Sequence, residues 1–379
     1  MSVAAEIPAA IEDVTVDQPA ARMALAAAAA EPFHAYLLAG PPGSGKGAAA
    51  RALAAELLAA GAPDPDDARR RALADPSPHP DLVWLRPPGI QHLVEDVRRL
   101  VIAAAPYRPF EGERRVFVIE AAEDLAEESQ NALLKTLEEP PPFAHLILVT
   151  AEPEALLDTV RSRCRPVRFA RLAPDAVEQR LQPGGEPDER RAVARLADGD
   201  PRRAAFLLSD EGRALRGAAE DLGRAATASE LGGAPWSELL DAADRAGERE
   251  AATVRERAEA AEEEAAERSG PAARKRAREA EELARRASRR ARNDSLDLGL
   301  ALLGAWLRDL AAAGDGAADL VLNSDRRAEL EAMAGTVDPR RARRAAELVM
   351  DTRRRLQVNV SETLALEALA YRLELLLAS

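Results

Sequence analysis

The chain has 379 residues, 52 Lys+Arg against 65 Asp+Glu (net charge −13), one cysteine, four histidines and twelve aromatics. One cysteine excludes an intrachain disulfide framework and, with four scattered histidines, a Cys-rich zinc site. No apolar run reaches the ~18–20 residues of a membrane span, the acidic first residues lack a signal-peptide layout, and the negative charge argues against broad nucleic-acid coating; the expected compartment is the cytoplasm.

In chain order, a short leading segment precedes an Ala-rich helix over about 20–31. A buried-strand pattern, Ala35 to Ala39, runs into a Gly-rich turn and a helix over about 45–60. Residues 61–80, rich in Pro, Asp and Arg, read as a surface loop. Leu82 to Leu85 is a short strand, followed by a helix over about 90–105. Val116 to Ile119 has the β-branched, wholly apolar character of a central strand. A helix over about 127–138 stops before Pro140, Pro141 and Pro142. Leu146 to Thr150 is another buried strand, and Arg165 to Phe169 the last. Strands alternating with helices predict a parallel α/β sheet over roughly 20–170.

Beyond that the β signal fades. Residues 171–210 fit three short helices, with Pro174 and Pro201 near helix starts, and 213–379 reads as wholly helical. The predicted organisation is an α/β base (1–170), a three-helix lid (171–212) and an all-α collar (213–379). Within the collar, 248–267 is acid-rich and 268–292 basic, with Gly270-Pro271 between, which predicts two exposed helices folded back with opposite charges facing. The alternative for 268–292 is a nucleic-acid-binding segment.

The strongest local motif is Gly40-Pro41-Pro42-Gly43-Ser44-Gly45-Lys46-Gly47, after a strand and opening a helix: a phosphate loop. Its glycines, Gly40, Gly43 and Gly45, let backbone N–H groups turn towards phosphate oxygens, the helix N-terminus adds positive potential, and Lys46 would reach the β- and γ-phosphates. Gly47 stands where a hydroxyl should ligate Mg²⁺, and Ser44 is badly placed to replace it. In phosphate-loop ATPases an apolar strand ends in two acids, one serving Mg²⁺ and one orienting the attacking water. Here the strand ends in Glu120, one methylene longer than aspartate, then Ala121. No metal ligand set is predicted, and intrinsic ATP hydrolysis is expected to be negligible.

Two further segments carry a family resemblance: Asn131-Ala132-Leu133-Leu134-Lys135-Thr136-Leu137-Glu138-Glu139-Pro140-Pro141, and Arg161-Ser162-Arg163-Cys164. With the phosphate loop and His79-Pro80-Asp81, they resemble the bacterial clamp-loader ATPases of the AAA+ class, over essentially the whole chain. The resemblance implies an AAA+ base, a three-helix lid and a helical collar. Gly47 and Ala121 depart from the motor branch, gamma and tau, and match the delta-prime branch of DNA polymerase III. The family's zinc module is missing, since 61–79 contains no cysteine.

The resemblance implies that Arg163, with Ser162 in its motif, acts in trans as an arginine finger on ATP bound next door, as a planar, always charged guanidinium suits. The alternative for Arg163 is a surface ion pair. Arg161 and Arg165 would support the same phosphate or sit in solvent, and Cys164 reads as a small buried thiol without catalytic duty. Thr150 and Arg202 fall at nucleotide-sensing positions and would be vestiges if the loop holds none. No cofactor is required by this reading and no zinc is expected; ATP or ADP in the loop is left open. The implied partners are gamma/tau and delta in a hetero-pentamer and, through it, the sliding clamp and primed DNA, without a membrane. The rival readings are an active gamma/tau-like motor using Lys46 and a DNA-binding module built on 268–292.

Overall fold

The computed structural model describes residues 7–87, 91–264, 271–356 and 360–377. The chain divides into two compact units, Met1–Leu172 and Ala173–Ser379.

In the first unit, α1 (Ala9–Val14) and α2 (Pro19–Ala30) lead into β1 (Ala35–Ala39), α3 (Lys46–Ala59), α4 (Pro65–Leu73) and β2 (Leu82–Leu85). A helical turn, α5 (Val94–Asp96), continues as a π-helical turn over Val97–Ile102; then follow β3 (Arg115–Ile119), α6 (Glu127–Glu138), β4 (Ala144–Thr150), α7 (Asp158–Arg161) and β5 (Arg165–Arg168). The five strands form one parallel sheet in the order β2-β3-β4-β1-β5.

The central strands β1, β3 and β4 are largely apolar and buried because both sheet faces are covered, whereas the edge strand β5 buries only Val167. On one face Tyr36, Leu38, Val116, Val118 and Ile147 pack against Ile11, Leu25, Leu53 and Leu57. On the other, Leu37, Phe117, Ile119, Leu146 and Leu148 pack against Val97, Val101, Leu133 and Leu137. The period of two in each strand thus feeds two cores. This is the expected parallel α/β base.

Two local expectations are corrected. Residues 61–80 are not all loop: Asp64 caps α4 by accepting from Asp67 N at 3.0 Å, with Pro65 at the first helical position. Arg69 makes paired bonds to Glu56 of α3 at 2.8 and 3.1 Å, Arg71 pairs with Glu111, and Arg51 donates to Ala74 O at 2.5 Å. The helix expected over about 90–105 starts at Val94 and widens to π geometry; Ile90 lies outside the described residues.

The described residues of the second unit form helices and no strand: α8 (Pro174–Arg180), α9 (Pro187–Leu196), α10 (Pro201–Leu207), α11 (Asp210–Ala228), α12 (Ser237–Glu264), α13 (Pro271–Gly314), α14 (Arg327–Ala334), α15 (Pro339–Leu356) and α16 (Glu362–Leu377). Its core runs through Leu215, Leu222, Leu300, Leu303, Trp306, Leu310, Val349 and Leu373. A buried ionic cluster pins α11 to the segment before α14: Arg216 bonds Asp325 at 2.7 and 2.9 Å and Asn323 at 2.9 Å. The helices expected about 248–292 are α12 and the first part of α13, both longer than the charge pattern suggested; the expected turn at Gly270 lies outside the described residues.

Candidate functional site: the phosphate loop and the Ser-Arg-Cys turn

β1 lies between β4 and β5, although the chain visits β2 and β3 before returning to β4 and β5. The carboxyl ends of strands at such a switch point open a crevice where α/β sheets take ligands. The phosphate loop occupies it. Gly40 N donates to Thr150 O at 3.2 Å, placing the end of β4 against the loop. A Cβ on Gly40 would lie 2.6 Å from Phe169 O, so this position requires glycine. Gly43 and Gly45 have φ of 71° and 90°, which turns the backbone into the N-terminus of α3.

Gln18, not singled out by its type in the sequence, holds the crevice together. Its amide donates to Ser44 O at 3.2 Å and Ala170 O at 2.7 Å and accepts from Ala170 N at 2.9 Å. Ser44 is buried and its Oγ has no hydrogen-bond partner. Lys46 Nζ donates to the loop's own Pro41 O at 3.0 Å. Thr150, wholly buried, accepts on Oγ1 from Glu152 N at 3.0 Å.

The residues where this fold class holds Mg²⁺ do not fit the ion. Gly47 offers no oxygen, and Glu120, whose Oε1 lies 3.7 Å from where a Cβ on Gly47 would be, is committed elsewhere. Glu120 Oε2 accepts from Trp84 Nε1 at 2.9 Å and from Arg86 Nε at 2.8 Å. Arg86 also makes paired bonds to Asp75 at 3.1 and 2.7 Å, and Arg51 stacks over Trp84 at 4.1 Å and pairs with Asp75 at 3.2 Å. One guanidinium and an indole therefore bond the carboxylate that would serve a metal, with Arg51 backing the indole. Ala121 follows in the left-handed region, φ 52°. His92 Nε2, facing only carbonyls, donates to Glu120 O at 2.8 Å and fixes this turn. Among the described residues no group of three or more His, Cys, Asp or Glu side chains is placed to hold a metal.

The Ser-Arg-Cys turn lies at the other end of the sheet. Ser162, Arg163 and Cys164 precede β5, which runs parallel to β1 with Tyr36 opposite Arg165. Arg163 lines an open cleft of about 680 Å³ with Phe33 and His34, just before β1, and with Leu137 and Glu138 at the end of α6. A five-residue strand of about 13 Å separates that end from the phosphate loop. Arg163 and Lys46 are therefore not brought together within one chain.

Arg163 donates from Nη2 to Glu138 Oε1 at 2.6 Å and from Nη1 to Thr159 O at 2.8 Å, its side chain one-third exposed. It is thus held in a surface ion pair in the isolated chain. Arg165 stacks over Phe33 at 4.9 Å, while Arg161 is tied to Glu154 and Asp158. Ser162 Oγ donates to Thr159 O at 3.3 Å. Gln130 positions the turn by accepting from Leu157 N at 2.7 Å and donating to Leu125 O at 3.0 Å. Burial pushes the Cys164 thiol up to about 12, so the thiol stays neutral and inert. Burial likewise holds the His34 and His145 imidazoles below the ordinary histidine value.

His79-Pro80-Asp81 is structural here: Asp81, wholly buried, accepts from Phe110 N and Glu111 N at 2.8 and 3.0 Å. Arg202 is exposed in the second unit at the start of α10, its N–H donated to the Asp200 cap at 2.9 Å. Glu138, Gln18 and Arg86 are the site residues that sequence reasoning passed over. Only Glu138 lay inside a quoted motif.

Residues 17–173 match the family model described as DNA polymerase III, delta subunit. The chain matches this model over less than half of its length. It is 34% identical over 150 residues to the DNA polymerase III subunit delta-prime of Bacillus subtilis, covering 39% of this chain and 45% of that protein. It is 39% identical over 142 residues to the delta-prime subunit of Pseudomonas aeruginosa, 36% of this chain and 42% of the relative. Over 199 residues it is 34% identical to the gamma/tau subunit of Mycobacterium tuberculosis, 49% of this chain and 34% of that one. The chain thus spans under half the length of these relatives. A gamma subunit-related structure from Thermotoga maritima aligns over 91% of this chain and 95% of its own, at 16% identity and a TM-score of 0.39.

Proposed function

We propose that the chain is a non-hydrolysing clamp-loader subunit of the delta-prime type, which completes a neighbouring subunit's ATP site with Arg163. The supporting observation is the separation of Arg163 from Lys46 by the length of β1. A guanidinium at the opposite end of the sheet from its own phosphate loop serves a phosphate only if another subunit presents it. Arginine fingers supplied in trans contribute roughly 10³–10⁵ in rate in related phosphoryl transfers.

The altered crevice supports the non-hydrolysing part. Gly47 and Ala121 lack the groups that a metal and an attacking water would use, and Glu120 is held by Trp84 and Arg86. The reading requires no nucleotide in this chain's own loop; Thr150 and Arg202 then have no ligand to sense. Association through the helical unit is supported by α16. Leu366, Leu369 and Leu373 face inward, while Leu364, Tyr371 and Leu375 are each about 60% exposed on the outer face. A helix apolar on both faces is normally covered on both. The partners on this reading are gamma/tau and delta subunits and, through the assembly, the sliding clamp and primed DNA.

The test is copurification with motor and delta subunits, followed by ATPase and clamp-loading assays with wild type and Arg163→Ala. The variant ring should assemble, turn over ATP more slowly and load poorly. Untouched loading would remove the finger assignment. Motor-level turnover by the isolated chain, abolished by Lys46→Ala, would replace this reading with the active-motor one.

A further inference from the structure

The hairpin of α12 and α13 carries chemistry that the finger reading does not use. Between residues 276 and 292, α13 has seven arginines against three glutamates, and of its side chains there only Ala284 is fully buried. This part of the helix therefore contributes little to the core of its unit. An open groove of about 770 Å³ runs between the two helices, lined by Arg255 from α12 and by Arg278, Arg285 and Arg289 from α13, with Glu281 and Glu282.

The arginines fall on one face because 278, 285 and 289 are spaced by seven and four, two turns and one. Their guanidiniums are pre-set rather than free to collapse onto one another. Glu281 accepts paired bonds from Arg255 at 2.9 and 3.2 Å and a third from Arg285 at 3.3 Å, and Glu282 takes the adjacent Arg286. The Glu281 carboxyl is held below the usual carboxylate range, chiefly by its bond to Arg255, so this bridge stays ionised at neutral pH. Four lining cations face two lining anions, and no ion pair or hydrogen bond among the described residues engages Arg278 or Arg289.

The rest of the lining selects among anionic partners. It is Ala251 and Ser288, with no aromatic or large aliphatic side chain. A protein partner would need apolar anchors at the groove centre, which are missing, and single-stranded nucleic acid would need aromatic platforms for its bases. Guanidinium forks alone suit phosphate oxygens and read no sequence. We infer that the groove between α12 and α13 is a sequence-independent binding surface for the phosphate backbone of duplex nucleic acid, with Arg278 and Arg289 as its open contacts. It stands apart from the Arg163 site and does not depend on that assignment. The acidic side chains elsewhere on α12, such as Glu256 and Glu259, do not line the groove.

The experiment is fluorescence anisotropy of a labelled random-sequence duplex with the full chain, repeated with a single strand of the same length and at 50 and 200 mM NaCl. Two phosphate contacts give about a 12-fold loss of affinity over that range and four give about 150-fold; a loss between these values is expected, with the duplex preferred. Arg278→Glu/Arg289→Glu should weaken duplex binding at least tenfold at 50 mM salt. Arg340→Glu/Arg344→Glu, an equal charge change on α15, should leave binding within twofold. Circular dichroism checks that both variants remain helical, as surface side chains without partners allow. No duplex binding at 50 mM salt, an equal loss in the α15 control, or preference for the single strand would each overturn the inference. So would a polyglutamate probe that binds the groove more tightly than the duplex, which would assign it to an acidic protein segment.

Discussion

If Arg163 acts as proposed, replacing Glu138 with alanine separates its ion pair in the isolated chain from its action in the assembly. In the isolated chain Glu138 holds Arg163 at 2.6 Å, but the two side chains are 49% and 34% exposed. Pairs this exposed contribute about 0.2–1 kcal/mol, because water solvates both partners once they part. Releasing Arg163 towards a neighbour's phosphate therefore costs at most about a fivefold factor in equilibrium, small beside the roughly 10³–10⁵ a finger supplies. Glu138→Ala should shift the melting temperature by only a few degrees at most. In a reconstituted ring it should leave ATP turnover unchanged or raise it by up to about fivefold, whereas Arg163→Ala should lower it. The assay is steady-state phosphate release at saturating ATP, with assembly verified by gel filtration. Turnover in the Glu138→Ala ring depressed as far as in the Arg163→Ala ring would refute the tether and make Glu138 itself a group needed for hydrolysis.

Gly47→Thr should fold, since a Cβ there is in ordinary contact with Glu120 at 3.7 Å, yet gain no Mg²⁺-dependent ATPase, because Glu120 remains bonded to Trp84 and Arg86 and Ala121 remains inert; phosphate release by the purified chain checks this. Arg216→Ala should cost about 1–3 kcal/mol in urea unfolding, because buried Asp325 and Asn323 lose their hydrogen bonds while Arg224 and Arg326 still reach Glu220, and Arg326 still reaches Asp325. Cys164 should resist iodoacetamide at pH 8 in the folded chain and react on denaturation. Its folded pKa of about 12 lies above its ordinary value of 9, so its contribution to stability is complete below pH 9 and is lost as pH rises from 9 towards 12; thiol labelling with and without urea, and unfolding across that range, measure both.

The sequence by itself determined the base. Four strands buried on both faces cannot be mistaken when Val116-Phe117-Val118-Ile119 is apolar at every position, and a glycine-rich turn between Ala39 and Lys46 has few other uses. It also exposed the altered phosphate-loop crevice, because a missing hydroxyl at 47 and a missing carboxylate at 121 are matters of residue type. It read 61–80 as loop because α4 is short and polar; what makes it a helix is the Asp64 cap and ion pairs to residues distant in sequence, Glu56 and Glu111. Only the tertiary structure gave Glu120 to Trp84 and Arg86, joined Gln18 to Ala170 and set Glu138 beside Arg163. Such pairings span tens to more than a hundred residues, and local propensity carries no information about them. Only the sheet order placed Arg163 and Lys46 at opposite ends of parallel neighbours. Strand pairing is non-local, and it separates the arginine from its own phosphate loop.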